Sequence, residues 1–248
     1  MAAEMTKVLI TGANQGIGFE TAKNLRRHSS KYHVIIGSRN PANGEQAVNS
    51  LKSLSDIKGT CEAIQLDVTD DKSVDGAAAK VREEHGRLDI LVNNAGIYDR
   101  NPNPRDALRA ILAVNVVGVV SVTEAFLPLL HQSNEPRLIF VSSSVSSISQ
   151  AADPNSKYYA PLANEYRCSK AAVNMLMTQY WVKLGKDSFK VFGADPSLVA
   201  TNFVNPEVTR KRGAVEPDVG GERIATVVRG DRDADVGRVC GEYGISPW

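Results

Sequence analysis

Tyr166 and Lys170 stand four residues apart in a stretch, Glu165–Leu184, whose pattern predicts a helix. At that spacing the two side chains share one helix face, about one turn apart. A free phenol ionises near about pH 10, too high for easy proton exchange near neutrality, and a neighbouring ammonium lowers that value. The pair is a candidate acid/base unit. Tyr158 and Tyr159 lie close in sequence, but neither has a lysine four residues on. Near the other end of the chain, Thr11-Gly12-Ala13-Asn14-Gln15-Gly16-Ile17-Gly18 follows a β-rich run and opens an amphipathic stretch. Gly12 permits a tight turn, Gly16 lets backbone approach a pyrophosphate, and Gly18 lets the helix pack closely on the strand. The helix N-terminus then offers free amides and partial positive charge to an anion. Glycine-rich turns also occur without a ligand; the position after the first strand is what favours phosphate.

The elements that must hold these groups alternate along the chain. β-rich runs occur at Val8–Thr11, Val34–Gly37, Cys61–Leu66, Leu88–Val92, Leu138–Ser142 and Val191–Ala194. Helical patterns separate them at Ile17–Arg27, Asn43–Leu54, Ser73–Glu84, Leu108–Leu130 and Glu165–Leu184, with Asp70 a candidate N-cap for the third. Apolar strands spaced by helices predict a single Rossmann-type, doubly wound parallel α/β sheet with helices on both faces. The whole chain, 1–248, reads as one domain, with two loop regions of functional length at about 146–164 and 202–217.

The order TGxxxGxG resembles the short-chain dehydrogenase/reductase family, and three later motifs strengthen the resemblance. Asn93-Asn94-Ala95-Gly96 follows the fourth strand, Asn115 lies in the next helix, and Tyr166 with Lys170 forms the family's YxxxK. The likeness runs from Lys7 to about Thr201. It implies a nicotinamide dinucleotide along Gly12, Asn14, Gln15, Gly16, Ile17 and Gly18, with Asp67 and Val68 at the adenine and Asn94, Ala95 and Gly96 beside them. A helix-capping role for Asp67 stands as the equal alternative. By the same likeness, Ser143 polarises the substrate carbonyl, with Ser144 as the fallback, and Tyr166 donates the proton. Lys170 binds the nicotinamide ribose and tunes Tyr166, and Asn115 supports a relay water. Asp195-Pro196-Ser197-Leu198-Val199-Ala200-Thr201 is similar to the family's PG-x-V-x-T segment, so Pro196, Val199 and Thr201 are expected at the nicotinamide, although Ser197 replaces the usual glycine.

The second strand ends in Ser38-Arg39, where a carboxylate would favour NAD by bonding the ribose 2′-hydroxyl. An arginine fork there suits a 2′-phosphate, so NADP(H) is expected ahead of NAD(H). Tyr166 follows Ser143 by 23 residues, longer than the family's usual interval, which puts an inserted loop beside the cleft. Among family members the carbonyl reductases are the nearest likeness, implying NADPH-dependent reduction of a ketone, aldehyde or quinone. Tyr98, Tyr159 and Phe203 are candidates to line an apolar substrate cleft or to serve as core or lid. A ketoreductase tailoring a polyketide or alkaloid would use the same residues, and a non-catalytic NADP sensor would use the same fold.

Composition bounds the remaining alternatives. With 29 basic and 28 acidic side chains the net charge is +1, which argues against a nucleic-acid surface. Cys61, Cys168 and Cys240 form no disulfide framework, and His28, His33, His85 and His131 show no metal-ligand spacing. With no signal-like segment before the first strand, a cytoplasmic location is expected. Ala110–Leu130 approaches the length of a membrane span but carries Asn115, Glu124 and Pro128, and reads as a helix buried against a sheet or a partner. A homodimer through the helices of Asn115 and Tyr166 and a monomer both stay open.

Overall fold

The computed structural model describes residues 5–248. The alternation resolves into β1 (Thr6–Thr11), α1 (Gly16–His28), β2 (Tyr32–Ser38), α2 (Pro41–Lys52), β3 (Thr60–Gln65), α3 (Asp71–His85) and β4 (Ile90–Asn93). Then follow α4 (Pro104–Leu112), a π-helical turn (Ala113–Val117), α5 (Gly118–Leu130), β5 (Arg137–Val141), α6 (Ile148–Ala152), α7 (Asn164–Leu184) and β6 (Lys190–Ala194). The chain ends with α8 (Pro206–Lys211), α9 (Pro217–Arg229), β7 (Val239–Gly241) and β8 (Gly244–Ser246). One sheet runs β3-β2-β1-β4-β5-β6-β7-β8, parallel throughout except for the antiparallel β7–β8 pair.

Side-chain alternation along the strands builds two cores. Leu9 and Ile35 face one way and join Val74, Val81, Phe126 and Met177 from α3, α5 and α7. Val8, Ile10, Val34 and Ile36 face the other way, against Ala22, Leu25, Val48 and Ile224 from α1, α2 and α9. Residues 104–130 form a continuous helix, long and apolar enough by composition to cross a bilayer. Within this fold its Val119, Val122, Phe126, Leu129 and Leu130 are core residues. The two loop regions hold short helices, α6 and α8, where the sequence pattern predicts loop.

Because β2 lies on one side of β1 and β4 on the other, the connections leaving the carboxyl ends of β1 and β4 diverge. The crevice between them is the switch point at which ligands enter open α/β sheets.

Candidate active site

The glycine turn is shaped by backbone demands. Gly12 and Gly16 hold φ of 64° and 60°, the left-handed region that side chains resist. A Cβ on Gly18 would fall 2.5 Å from Asn94 Nδ2 and 2.9 Å from Ala13 Cα, so α1 can approach only without one. Thr11 ties this turn to the next: its hydroxyl accepts from the Asn94 and Ala95 amides at 2.9 and 2.8 Å, and its carbonyl accepts from Asn94 Nδ2 at 2.7 Å. Asn94 thus straps two turns together as well as lining the cleft. The first turn of α1 carries no acidic residue and no side-chain cap, which leaves its amides for an anion.

From there a cleft of about 1440 Å³ extends along the carboxyl edge of the sheet. Asn14, Gln15, Ile17, Ser38, Arg39, Asp67, Val68, Ala95, Gly96, Pro196, Val199 and Thr201 all line it, as do Ser143, Tyr166 and Lys170. Gly18 lies beneath the turn rather than on the wall. At the end of β2, Ser38 is buried and donates to the Asn40 carbonyl at 2.8 Å. Arg39 is exposed and makes no hydrogen bond or ion pair among the described residues. Asp67 accepts from the Thr69 amide and hydroxyl at 3.0 and 2.7 Å, closing a turn, and Asp70 caps α3 through the Lys72 amide at 3.1 Å. The capping role weighed for Asp67 therefore belongs to Asp70. An open cradle of backbone amides with a free guanidinium at the β2 edge fits the chemistry of a dinucleotide.

The reacting centre forms where β5 meets α7. Ser143 and Tyr166 line the same stretch of the cleft, near enough for the Ser143 hydroxyl to act on the Tyr166 phenol. Ser144, by contrast, gives its hydroxyl to Asp195. Ser143 is held by a network beneath it: Ser142 donates to Asn174 Oδ1, Asn174 Nδ2 donates to Ser146, and Ser146 donates to the Ser143 carbonyl. Lys170, only 5% exposed, donates to the Val141 carbonyl at 2.7 Å and stands 5.8 Å from the Tyr166 ring centre. Asn115 lies in the π-helical turn, fully buried. Its side chain accepts from the Ile97 amide at 2.8 Å and donates to the Ile97 carbonyl and the Ser169 hydroxyl at 3.0 and 3.1 Å. It clamps the loop after β4 to α7. A π turn of this kind is a recurrent mark of functional sites.

The electrostatics depart from the expectation of a phenol lowered by lysine. Burial pushes the Tyr166 phenol well above its ordinary range, the nearby Asp195 carboxylate adds to the rise, and the Ser143 hydroxyl offsets only part. Lys170 is pulled down to about 8 by burial, with Asp195 opposing. Asp195, 1% exposed, accepts from the Ser197 amide at 2.8 Å as well as from Ser144. The former bond accompanies a left-handed Ser197, φ 69°, at the position where glycine is usual. The backbone shape survives the substitution.

Tyr98, Tyr166 and Phe203 form an aromatic cluster, with ring centres 5.9 Å apart for Tyr98–Tyr166 and 5.6 Å for Tyr166–Phe203. Tyr159 does not join them: it is 57% exposed, and its neighbour Tyr158 lines the cleft instead. A one-residue difference in a turn is below what sequence spacing resolves. Asp195 and Arg167 are the site residues that motif spacing missed. The Arg167 guanidinium donates to the carbonyls of Val145, Tyr158 and Ala160 at 3.1, 2.8 and 2.7 Å, pinning the inserted loop beside Tyr166. An acidic residue directly after an apolar strand, and an arginine beside the motif tyrosine, were the available signals. Elsewhere, His33 and His85, which show no ligand spacing in sequence, meet around Glu62 because β2, β3 and the end of α3 are neighbours in space.

The family model for short chain dehydrogenases matches residues 6–212. The chain is 38% identical over 253 residues to the short-chain dehydrogenase/reductase tropE of Talaromyces stipitatus, covering 94% of this chain and 93% of that protein. It is 35% identical over 268 residues to the short-chain dehydrogenase/reductase eupG of a Phoma species, covering 97% and 96%. Among solved structures it is similar to the NADPH-bound carbonyl reductase from chicken fatty liver, with a TM-score of 0.79 and 25% identity over 99% of this chain and 100% of that one. Ordered motifs, sheet topology and full-length relatives agree: the chain belongs to the short-chain dehydrogenase/reductase family of oxidoreductases, whose fold binds a nicotinamide cofactor.

Proposed function

We propose that the protein is an NADPH-dependent reductase of ketone, aldehyde or quinone carbonyls. The observation that carries this reading is the meeting of Ser143, Tyr166 and the buried Lys170 at the end of the cleft that begins at the glycine turn. When bound, the nicotinamide supplies a hydride to the carbonyl carbon. Ser143 and Tyr166 hold the carbonyl oxygen between two hydroxyls, and Tyr166 passes its phenolic proton to that oxygen as negative charge develops there. A phenol pushed upward by burial stays protonated across the neutral range, which suits a proton donor in the reducing direction. Lys170 and Asn115, packed behind Tyr166, hold the cofactor's ribose side of the site and the route by which the proton is replaced. The aromatic cluster of Tyr98, Tyr166 and Phe203 supplies an apolar wall, favouring cyclic or aromatic carbonyls.

NADPH rather than NADH is supported by the β2 edge, where, among the described residues, Arg39 makes no ion pair and Ser38-Arg39 stand in place of a carboxylate that would oppose a 2′-phosphate. The carbonyl reductase from chicken fatty liver, itself NADPH-bound, supports the same reading by likeness. The test is loss of NADPH absorbance with a panel of ketones, aldehydes and quinones, run in parallel with NADH. Turnover is expected with NADPH; no turnover on any of the panel would overturn the reading. Arg39→Ala should lower kcat/KM for NADPH about ten-fold, the worth of a charge-assisted phosphate contact, and leave NADH unchanged.

A further inference from the structure

At the amino edge of the sheet, away from the cleft, three potential metal ligands converge. His33 lies on β2, Glu62 lies on β3 on the same face, and His85 is the last residue of α3, where Gly86 turns the chain out at φ 72°. The facing ligand atoms of the three lie within 4.8 Å of one another. Glu62 Oε1 is 2.6 Å from His85 Nε2 and 3.5 Å from His33 Nε2.

The hydrogen bonding leaves one contact unexplained. The Thr60 hydroxyl stands 2.7 Å from His33 Nδ1 and 3.7 Å from Met5 Sδ, so it can give its proton to the sulfur and accept from His33 in the tautomer protonated on Nδ1. In that tautomer His33 Nε2, buried and without a hydrogen bond inside 3.5 Å among the described residues, turns its lone pair toward the Glu62 carboxylate 3.5 Å away. Two acceptors then face each other, an arrangement that either a proton on Nε2 or a metal cation between them resolves. The Thr60–His33 contact is also the outer hydrogen bond that orients metal-bound imidazoles. The carbonyl end of α3 adds partial negative charge, and Lys7 holds that end through the His85 carbonyl at 2.9 Å.

We propose that His33, Glu62 and His85 bind one divalent transition-metal ion of the zinc class. Two imidazoles and a carboxylate are a borderline-soft set suited to zinc rather than to magnesium or calcium, and water from the open side completes the shell. Ligand atoms about 2 Å from a tetrahedral centre stand about 3.4 Å apart, so Glu62–His33 at 3.5 Å is already near that spacing and Glu62–His85 at 2.6 Å must open. On binding, the bond from His85 Nε2–H to Glu62 is given up: the proton leaves that nitrogen, and its lone pair takes the metal. The ion then joins two strands to the end of a helix, a structural rather than a catalytic position.

The experiment uses the full chain without a histidine tag, stripped with chelator and titrated with zinc chloride by calorimetry and with cobalt(II) by visible absorption. The expected result is one zinc per chain, cobalt bands of a four-coordinate N/O site, and a rise in Tm with zinc. His85→Ala and Glu62→Gln should each weaken binding by about ten-fold or more, and Thr60→Ala by about ten-fold. Cys168→Ser, which removes the exposed thiol, should leave binding unchanged. No zinc heat and no cobalt bands with the unmodified chain would overturn the proposal, leaving a hydrogen-bonded His–Glu–His group. So would binding that survives both His85→Ala and Glu62→Gln. The unmodified chain alone decides the matter if a variant fails to fold.

Discussion

The two edges of the sheet treat buried charge in opposite ways. At the amino edge, charges are matched. Arg137 meets Asp233 at 2.5 Å with Lys190 on the same carboxylate at 2.6 Å. Asp89 accepts from the Lys7 amide, Arg87 and Ser133 at 2.8, 2.9 and 2.7 Å. For both Asp89 and Asp233, burial raises the carboxyl pKa, but the hydrogen bonds and cations around it win and hold it below the usual range. At the carboxyl edge, Tyr166, Lys170 and Asp195 are sunk into the cleft wall without an ion-pair partner among the described residues, and burial moves both Tyr166 and Lys170 toward their neutral forms. One edge stabilises the fold; the other keeps groups ready to exchange a proton. The difference lies both in depth and in partners: Tyr166 and Lys170 are more deeply enclosed than Asp89 and Asp233, and only the latter have a cation placed beside them among the described residues.

That contrast can be broken by measurement. Tyr166→Phe should cost about a thousand-fold in kcat, the range for a lost general acid, with no loss of Tm and cofactor affinity intact. A drop in Tm with activity retained would assign Tyr166 to the amino-edge type. Arg137→Ala should do the reverse: a loss of about 2 kcal/mol, or about 4–8 °C in Tm, because it removes a buried side chain and leaves Asp233 with Lys190 alone, with kcat/KM unchanged at a temperature where the chain is folded. Asp195→Asn removes the carboxylate that raises Tyr166, so the alkaline fall of kcat/KM for reduction should move toward neutrality by about one pH unit. An unmoved pH profile would show that Asp195 only shapes the Ser197 turn. The smallest effect is expected from Asp89→Asn. A carboxyl held low in the folded state stabilises above its unfolded pKa, and that stability is lost as pH falls through the folded value. Denaturant midpoints should therefore decline on acidification in the parent and decline less in the variant, with a gap of about 1–2 kcal/mol at neutrality.

Much of this was legible in residue order, because the glycine turn and the Tyr166–Lys170 pair are local: each needs only one turn and one helix to take shape. The six parallel strands of the main sheet were visible as apolar runs for the same reason. Helix α9 was not. Gly220 and Gly221 weaken its pattern, yet a Cβ on Gly221 would sit 2.5 Å from Glu20 Cβ, so its close packing on α1 requires what made it hard to see. Strands β7 and β8, three residues each, were too short to show a period. Asp195 finds Ser144 across 51 residues, and His85 finds Glu62 across 23; such pairings are properties of topology that no spacing rule encodes.

The π-helical turn at Ala113–Val117 has a consequence for how the chain can change in length. It spends an additional residue within one continuous helix, so that α4 addresses α7 while α5 addresses α3. Deleting a single residue there would not shorten a loop. It would let the turn close to ordinary α-helical hydrogen bonding, with Val119, Val122 and Phe126 kept on the core, while Asn115 lost the bulged backbone from which it reaches Ile97. The turn is thus the place where the helix takes up one residue of slack, and the clamp made by Asn115 depends on that slack being kept.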